Sequence, residues 1–315
     1  MWVEPISGGF SPDFLQVRLL GAVELTCAGA NAEFPTRKSR SIFAFLAINR
    51  RKGHPRELLA EAFWPDCGPK RSRAALRTEL WRIRDTIARA GADPHVILTE
   101  SADAVRILPK APCRVDVDEL DDAVRSCAAG TACAPSAGDI AALEAALQLY
   151  TGDLLEGEDD EWCVTNREYY RSRYFTGLVA LIETAMALHD WRRAIEWGER
   201  LLLEDPLAEH VHRYLMICHN ALGNRPAAIR QFARCTAVLR TQLNVGPMEI
   251  TSELHRHILQ GMGESVDALK WQGSSAVVLK RTRESLIEAL RSLDAALDPP
   301  RRGGIEEDGL PGSDT

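Results

Sequence analysis

The side chains best suited to binding chemistry lie in residues 69–90, PKRSRAALRTELWRIRDTIARA. Apolar residues recur there with a 4-3-4 spacing, which places them on one narrow stripe of a helix. They are Leu76, Leu80, Ile83 and Ile87. At about 100° per residue, the opposite side is mostly basic. Its residues are Lys70, Arg71, Ala74, Arg77, Thr78, Trp81 and Arg82, with Arg73 and Arg84 on the flanks.

This outer face has the chemistry of a helix that binds the major groove of DNA. The arginine fork pairs with guanine edges and with phosphate, and a positive face attracts the phosphate backbone. A solvated amphipathic helix has the same pattern, because charged outer faces are common. The helix alone leaves both interpretations open.

The distribution of charge favours the first interpretation. The chain of 315 residues has a net charge of −7, yet residues 36–91 hold 14 Lys and Arg against five Asp and Glu. That segment therefore carries +9, and the rest of the chain carries −16. Such asymmetry indicates a nucleic-acid-facing module joined to an acidic module with another role.

Two hairpins and three helices are predicted around this stretch. Residues 14–28 are apolar and β-branched with a break at Gly21, which predicts a hairpin. Thr36 is expected to cap a first helix, whose run Ser41 to Asn49 is apolar enough to be buried. A second helix from about Arg56 should end at Phe63, because proline disfavours helical geometry in the residue before it.

The third helix is the basic one, with Pro69 in its first turn, where a missing N–H costs nothing. Beyond it, the segments HVILTE and AVRILP flank a short turn and predict a second hairpin. This element order is that of a winged helix-turn-helix domain.

Several motifs resemble the OmpR-type DNA-binding domain of SARP-type transcriptional activators, over about residues 14–110. They are Leu20-Gly21, Lys38-Ser39-Arg40, Leu58-Leu59 with Phe63-Trp64-Pro65-Asp66, and Leu76-Arg77 with Leu80-Trp81-Arg82-Ile83-Arg84. The resemblance implies that Arg82 and Arg84 contact DNA as an R-x-R pair, and that two copies bind direct repeats as a homodimer on DNA. In that family the wing usually presents a basic residue, whereas here Glu100 and Asp103 precede Arg106.

The following segment has a different character. Residues 116–161 carry 13 acids and a single Arg125, so they are not expected to lie along DNA. From residue 187 onward an internal repeat of 34 residues relates Ala187-Leu188 to Ala221-Leu222, and Ala194-Ile195 to Ala228-Ile229. That is the tetratricopeptide (TPR) period, which predicts pairs of antiparallel helices with Pro206 and Pro226 at helix starts.

The second region resembles the bacterial transcriptional activator domain, which usually follows the DNA-binding module above. The predicted organisation is a winged helix at 14–110, a TPR-like activator domain at 112–262, and a weakly structured tail at 263–315 with one possible helix at 280–297. The fold class is therefore mostly α with small β hairpins: a winged helix-turn-helix domain followed by an all-α helical repeat domain.

Catalytic motifs are not evident in the sequence. It contains no GxxxxGK[ST], GxSxG or HExxH, and its eight cysteines form no CxxC pair, so we expect neither an enzyme nor a metal or cofactor site. The sequence has no run of 18 apolar residues and no secretory signal at its start, which predicts a cytoplasmic protein with no membrane contact.

Two functional hypotheses follow. The first is a sequence-specific activator that binds double-stranded DNA at promoter direct repeats and contacts RNA polymerase. The second is a TPR-like scaffold with a degenerate winged helix that does not bind DNA. Under the first, Arg77, Thr78, Trp81 and Arg82 read bases, whereas Lys38 and Arg40 bind phosphate near the start of the first helix. The full set of predicted DNA contacts is Arg71, Arg73, Arg77, Thr78, Trp81, Arg82, Arg84, Lys38, Arg40 and Arg106.

Overall fold

Short strands and four helices make up the N-terminal part of the chain. The structure, a computed structural model, describes residues 14–101, 103–108, 110–129 and 135–261; the helix predicted at 280–297 lies outside them. The elements of the N-terminal part are β1 (Leu15–Arg18), β2 (Glu24–Cys27), β3 (Ala30–Asn31), α1 (Arg37–Ile48), β4 (His54–Pro55), α2 (Arg56–Phe63), α3 (Pro69–Arg89), α4 (Pro94–Ile97), β5 (Leu98–Glu100), β6 (Ala104–Ile107) and β7 (Cys113–Val115).

The strands form two small sheets. The first has the order β3-β2-β1-β7, with β1 antiparallel to β2 and parallel to β7. The second has the order β4-β6-β5, with Leu98 opposite Ile107 in its hairpin. Strand β7 lies beyond residue 110, the predicted end of the first domain, and still completes the first sheet.

Both predicted hairpins are present, but the second is shorter than predicted. Residues from Pro94 to Ile97 form the short helix α4 instead of the first half of a strand. The Asp93 side chain accepts the His95 N–H at 2.8 Å, and Pro94 supplies a helical φ, so this turn closes before the strand begins.

Local sequence signals determine the ends of the first three helices. Thr36 and Ser39 form a capping box at the start of α1, and α2 ends at Phe63, directly before Trp64-Pro65. Helix α3 begins at Pro69 as predicted, and the four residues of its apolar stripe are at most 1% exposed. They pack into the core that also buries Ile42, Phe43 and Leu46 of α1.

The described residues of the helical part, 116–129 and 135–261, form seven helices. They are α5 (Asp116–Ala129), α6 (Ala137–Gln148), α7 (Glu161–Ala187), α8 (Trp191–Glu204), α9 (Glu209–Ala221), α10 (Arg225–Leu243) and α11 (Glu249–Gln260). From α7 to α10 each helix packs on the next one. Pro226 lies in the first turn of α10 as predicted, but Pro206 does not begin a helix: Asp205 to Ala208 form a turn, and α9 starts at Glu209.

The two parts are joined directly. Strand β7 ends at Val115 and α5 begins at Asp116, whose buried carboxylate accepts the N–H groups of Leu19 and Leu20 at 2.7 and 2.8 Å. The described residues up to Leu259 therefore form a single compact unit. The chain is mostly α-helical with small sheets, as the sequence predicts. Among the described helices, none is both long and apolar enough to span a bilayer.

Candidate nucleic-acid interface

The outer face of α3 is the candidate interface. The structure leaves seven of the nine outer-face residues exposed, and Arg82 and Arg84 half-buried. The exposed ones are Lys70, Arg71, Arg73, Ala74, Arg77, Thr78 and Trp81. Because the opposite stripe is buried, one side of α3 holds the helix in the core and the other presents cations to solvent.

Trp81 is the unusual member of this face, because its large ring is 63% exposed. An aromatic ring that stands among arginines without being packed offers a flat apolar surface next to positive charge. Thr78, one turn earlier, donates its hydroxyl proton to the Ala74 carbonyl at 3.1 Å. Its oxygen thereby takes a fixed direction, with lone pairs left to accept a hydrogen bond.

Arg82 is held more firmly than the exposed arginines. Its Nη1 donates to Glu79 Oε1 at 2.7 Å, and the other carboxylate oxygen of Glu79 accepts the Thr36 hydroxyl, also at 2.7 Å. Glu79 is only 8% exposed, although it lies on the basic helix. A buried acid thus connects α3 to the residue that caps α1, a connection that sequence reasoning missed.

Two other arginines of α3 form exposed ion pairs, one with α2 and one within α3. Arg73 Nη2 lies 2.9 Å from Glu57 Oε1 on α2, and Arg89 Nε lies 3.0 Å from Asp85 Oδ2. Exposed pairs of this kind contribute only about 0–1 kcal/mol. Arg73 can therefore exchange its carboxylate partner for a phosphate at little cost.

The hairpin of β5 and β6 stands beside the start of α2. The Arg56 N–H donates to the Asp103 carbonyl at 2.8 Å, and its guanidinium Nε donates to the Ser101 carbonyl at 3.2 Å. Arg106 is exposed on β6, where it lies opposite Thr99. The hairpin is therefore fixed to α2 by one hydrogen bond from the Arg56 backbone and one from its side chain, and Arg106 is the predicted contact residue that the hairpin carries.

The cations at the start of α1 contact carboxylates of the helical part. Arg37 Nε and Arg40 Nη2 lie 2.8 and 2.6 Å from the two oxygens of Glu158, whose side chain is 1% exposed. Lys38 Nζ lies 3.7 Å from Asp160 Oδ1. We call Arg37, Arg40 and Glu158 the clasp. The hydrogen bond to Glu158 also raises the pKa of Arg37 above its ordinary value.

The clasp bears on the predicted phosphate contacts of Lys38 and Arg40. Phosphate binding by Lys38 and Arg40 stays a prediction, and in this structure their charges are already matched by Asp160 and Glu158. No spacing rule relates residues about 120 positions apart, so the acidic run before α7 was the only available signal.

The chain is similar in sequence to a known domain family and to several known proteins. Residues 115–259 match the family model described as bacterial transcriptional activator domain. The transcriptional regulatory protein MoaR1 of Mycobacterium tuberculosis is 27% identical over 255 residues, which cover 78% of this chain and 79% of MoaR1. The transcriptional regulatory protein EmbR of the same species is 26% identical over 257 residues, covering 78% of this chain and 63% of EmbR. The regulatory protein AfsR of Streptomyces coelicolor is 26% identical, and the match covers 24% of its length.

A solved structure shares the fold. The chain resembles Mycobacterium tuberculosis EmbR, determined in complex with a low-affinity phosphopeptide, with a TM-score of 0.63 and 23% identity. The match covers 89% of this chain and 71% of that one. The relatives that match most of this chain are thus named as transcriptional regulatory proteins. The matches confirm the resemblance of this chain to the SARP-type regulators, and residues 115–259 match the bacterial transcriptional activator domain.

Proposed function

We propose that this protein is a transcriptional regulator that binds promoter DNA sequence-specifically and activates transcription, with the N-terminal part acting as a winged helix-turn-helix. The observation that carries the proposal is the outer face of α3, where exposed cations and Trp81 stand opposite a fully buried stripe. Helices α2 and α3 pack together as the helix-turn-helix pair, and the β5–β6 hairpin is the wing.

The contacts divide into reading and positioning. Arg77, Thr78, Trp81 and Arg82 lie within two turns of α3 on its outer face, so we assign base reading to them. Trp81 packs on a thymine methyl or a sugar, since its exposed ring offers apolar area. The remaining cations contact phosphate and fix the register of the helix on the duplex. They are Arg71, Arg73, Arg84 and Arg106, with Lys38 and Arg40 joining where phosphate displaces their carboxylates.

The helical part is proposed to act on partners instead of DNA. Its successive packed helices α7 to α10 form a TPR-like array, and segment 116–161 is acidic, which disfavours the phosphate backbone. We assign contacts with RNA polymerase and with a second copy on DNA to this array.

The alternative is a TPR-like scaffold whose winged helix does not bind DNA. Two observations favour it: Asp103 is exposed at the hairpin tip, and Glu158 neutralises cations at the start of α1. The two functions differ in their dependence on salt.

An anisotropy titration of the full chain against the DNA upstream of neighbouring genes, at two salt concentrations, distinguishes them. Neutralising Z phosphates gives a slope of log K against log salt of about −0.9Z, so six contacts lower the affinity about a thousand-fold between 50 and 200 mM. A flat profile with every duplex would reject DNA binding and leave the scaffold.

Assembly on DNA gives a second test. A duplex with two direct repeats should bind the full chain more tightly than a duplex with one repeat, because the second copy is held next to the first. The control duplex keeps the same length and replaces one repeat by scrambled sequence. Equal affinity for both duplexes at the same salt would contradict the homodimer.

A further inference from the structure

Glu79 stands out on α3 because it is a buried acid on a helix whose outer face is positive. Its side chain has two partners on different elements, Arg82 on its own helix and Thr36 at the cap of α1. The Glu79 side chain is 10% exposed and so largely shielded from solvent, whereas the Arg82 side chain is 35% exposed. Glu79 therefore lies beneath the outer face, and Arg82 reaches from it toward solvent.

The geometry restricts the arginine. A free arginine side chain samples many rotamers, and ordering it for a base contact costs conformational free energy. The 2.7 Å bond to Glu79 fixes one guanidinium nitrogen before DNA arrives. An arginine carries five N–H donors in a planar fork, so the others stay available for a guanine edge.

The same carboxylate also fixes the helix that carries the arginine. Thr36 is held in turn by its capping box, in which its hydroxyl oxygen accepts the Ser39 N–H at 3.1 Å. The chain of contacts from Ser39 through Thr36 and Glu79 to Arg82 transmits the position of α1 to the reading face. A displacement of about 1 Å at a recognition site is enough to weaken binding, so this chain of contacts matters for specificity.

We infer that Glu79 is a positioning residue for sequence recognition: it aims the Arg82 guanidinium at a base edge and contacts no DNA itself. The inference rests on the proposed DNA-binding function and adds to it a residue outside the exposed face. Glu79 acts through Arg82, so its contribution should vanish when Arg82 is absent.

The test is a double-mutant cycle on the full chain. The variants are Glu79→Gln, Arg82→Ala and the double variant, each titrated against the duplex that wild type selects from a randomised pool and against a scrambled duplex. Glu57→Gln is the matched control, because it removes an equal negative charge from the exposed ion pair between Glu57 and Arg73. Thermal melting checks that each variant is folded.

Glu79→Gln should lower the ratio of cognate to scrambled affinity roughly ten-fold, the size of one lost base contact. Arg82→Ala should lower it equally, and the double variant no further. Glu57→Gln should keep the wild-type ratio while weakly raising the affinity for both duplexes, as the loss of a negative charge does. Should Glu79→Gln fail to fold, Glu79→Asp carries the test, since its shorter side chain cannot reach both partners.

The outcomes are separable. A folded Glu79 variant that keeps the wild-type ratio, or one whose effect adds to that of Arg82→Ala, overturns the inference and leaves DNA binding intact. A lower melting temperature with an unchanged ratio would show that Glu79 is structural only. Wild type that binds no duplex in a salt-dependent way overturns the proposed function itself.

Discussion

Loss of a clasp arginine should lower the stability of the chain more than the exposure of these arginines suggests. Glu158 is 1% exposed, whereas the Arg37 and Arg40 side chains are 52% and 38% exposed. Replacing Arg40 by alanine leaves one oxygen of a buried carboxylate without its donor, and a buried acceptor that loses its partner costs about 1–3 kcal/mol. Arg40→Ala should therefore lower the free energy of unfolding by that amount.

The burial of Glu158 also predicts that a second substitution can restore the lost stability. Removing Arg37 as well leaves the carboxylate without either cation, which should destabilise the chain further. Adding Glu158→Met to that double variant should then restore stability, because a buried ion pair can be replaced by apolar residues with little loss. The order of stabilities, with the triple variant above the double variant, is the distinctive result.

Urea unfolding followed by circular dichroism measures these differences, provided that each transition is two-state. Arg51→Ala is the matched control, because Arg51 lies 3.9 Å from Asp122 with both side chains more than half exposed. It should change stability by less than about 0.5 kcal/mol. An Arg40→Ala variant as stable as Arg51→Ala, or a triple variant less stable than the double, would refute the role assigned to burial.

Three further predictions concern single positions. Burial raises the pKa of Asp116 to about 6, above its ordinary 3.8, so its stabilising contribution is complete below pH 3.8 and is lost as pH rises through 6. Urea unfolding should show wild type losing about 2 kcal/mol from pH 4 to pH 7 relative to Asp116→Asn, and parallel profiles would contradict this. Gly198→Ala should cost about 1–3 kcal/mol, because the new Cβ would lie 2.6 Å from Leu215 Cδ2, whereas Gly246→Ala meets nothing within 4 Å and should be neutral by melting. Trp81→Ala should leave stability within about 0.5 kcal/mol and weaken cognate binding, and a large fall in melting temperature would instead make Trp81 a packing residue.

Local patterns in the sequence were enough to predict much of this fold. The stripe of α3 and the cap at Thr36 depend on residues three or four positions apart, so periodicity and capping rules apply to them directly. The outer face follows from the same geometry. The short α4 was missed because its strand-like residues follow Asp93 and Pro94, which favour a helical turn.

Contacts between distant residues could not be predicted in this way. Strand β7 pairs with β1 across about 100 residues, and Glu158 reaches α1 across about 120. Glu79 is a different case, since an acid among arginines is typical of a solvated helix. Only its burial and its bond to Thr36 distinguish it.

The direct passage from β7 into α5 has a consequence for operator spacing. With no residue between Val115 and Asp116 to act as a hinge, the proposed placement of α3 in the major groove would also set the angular position of the helical part around the duplex. Two copies on direct repeats about 10–10.5 base pairs apart would present their helical parts on the same side of the DNA. Inserting about five base pairs between the repeats turns one copy half a revolution away, while each binding sequence stays intact. Promoter activity should therefore oscillate with repeat spacing, with the period of the double helix.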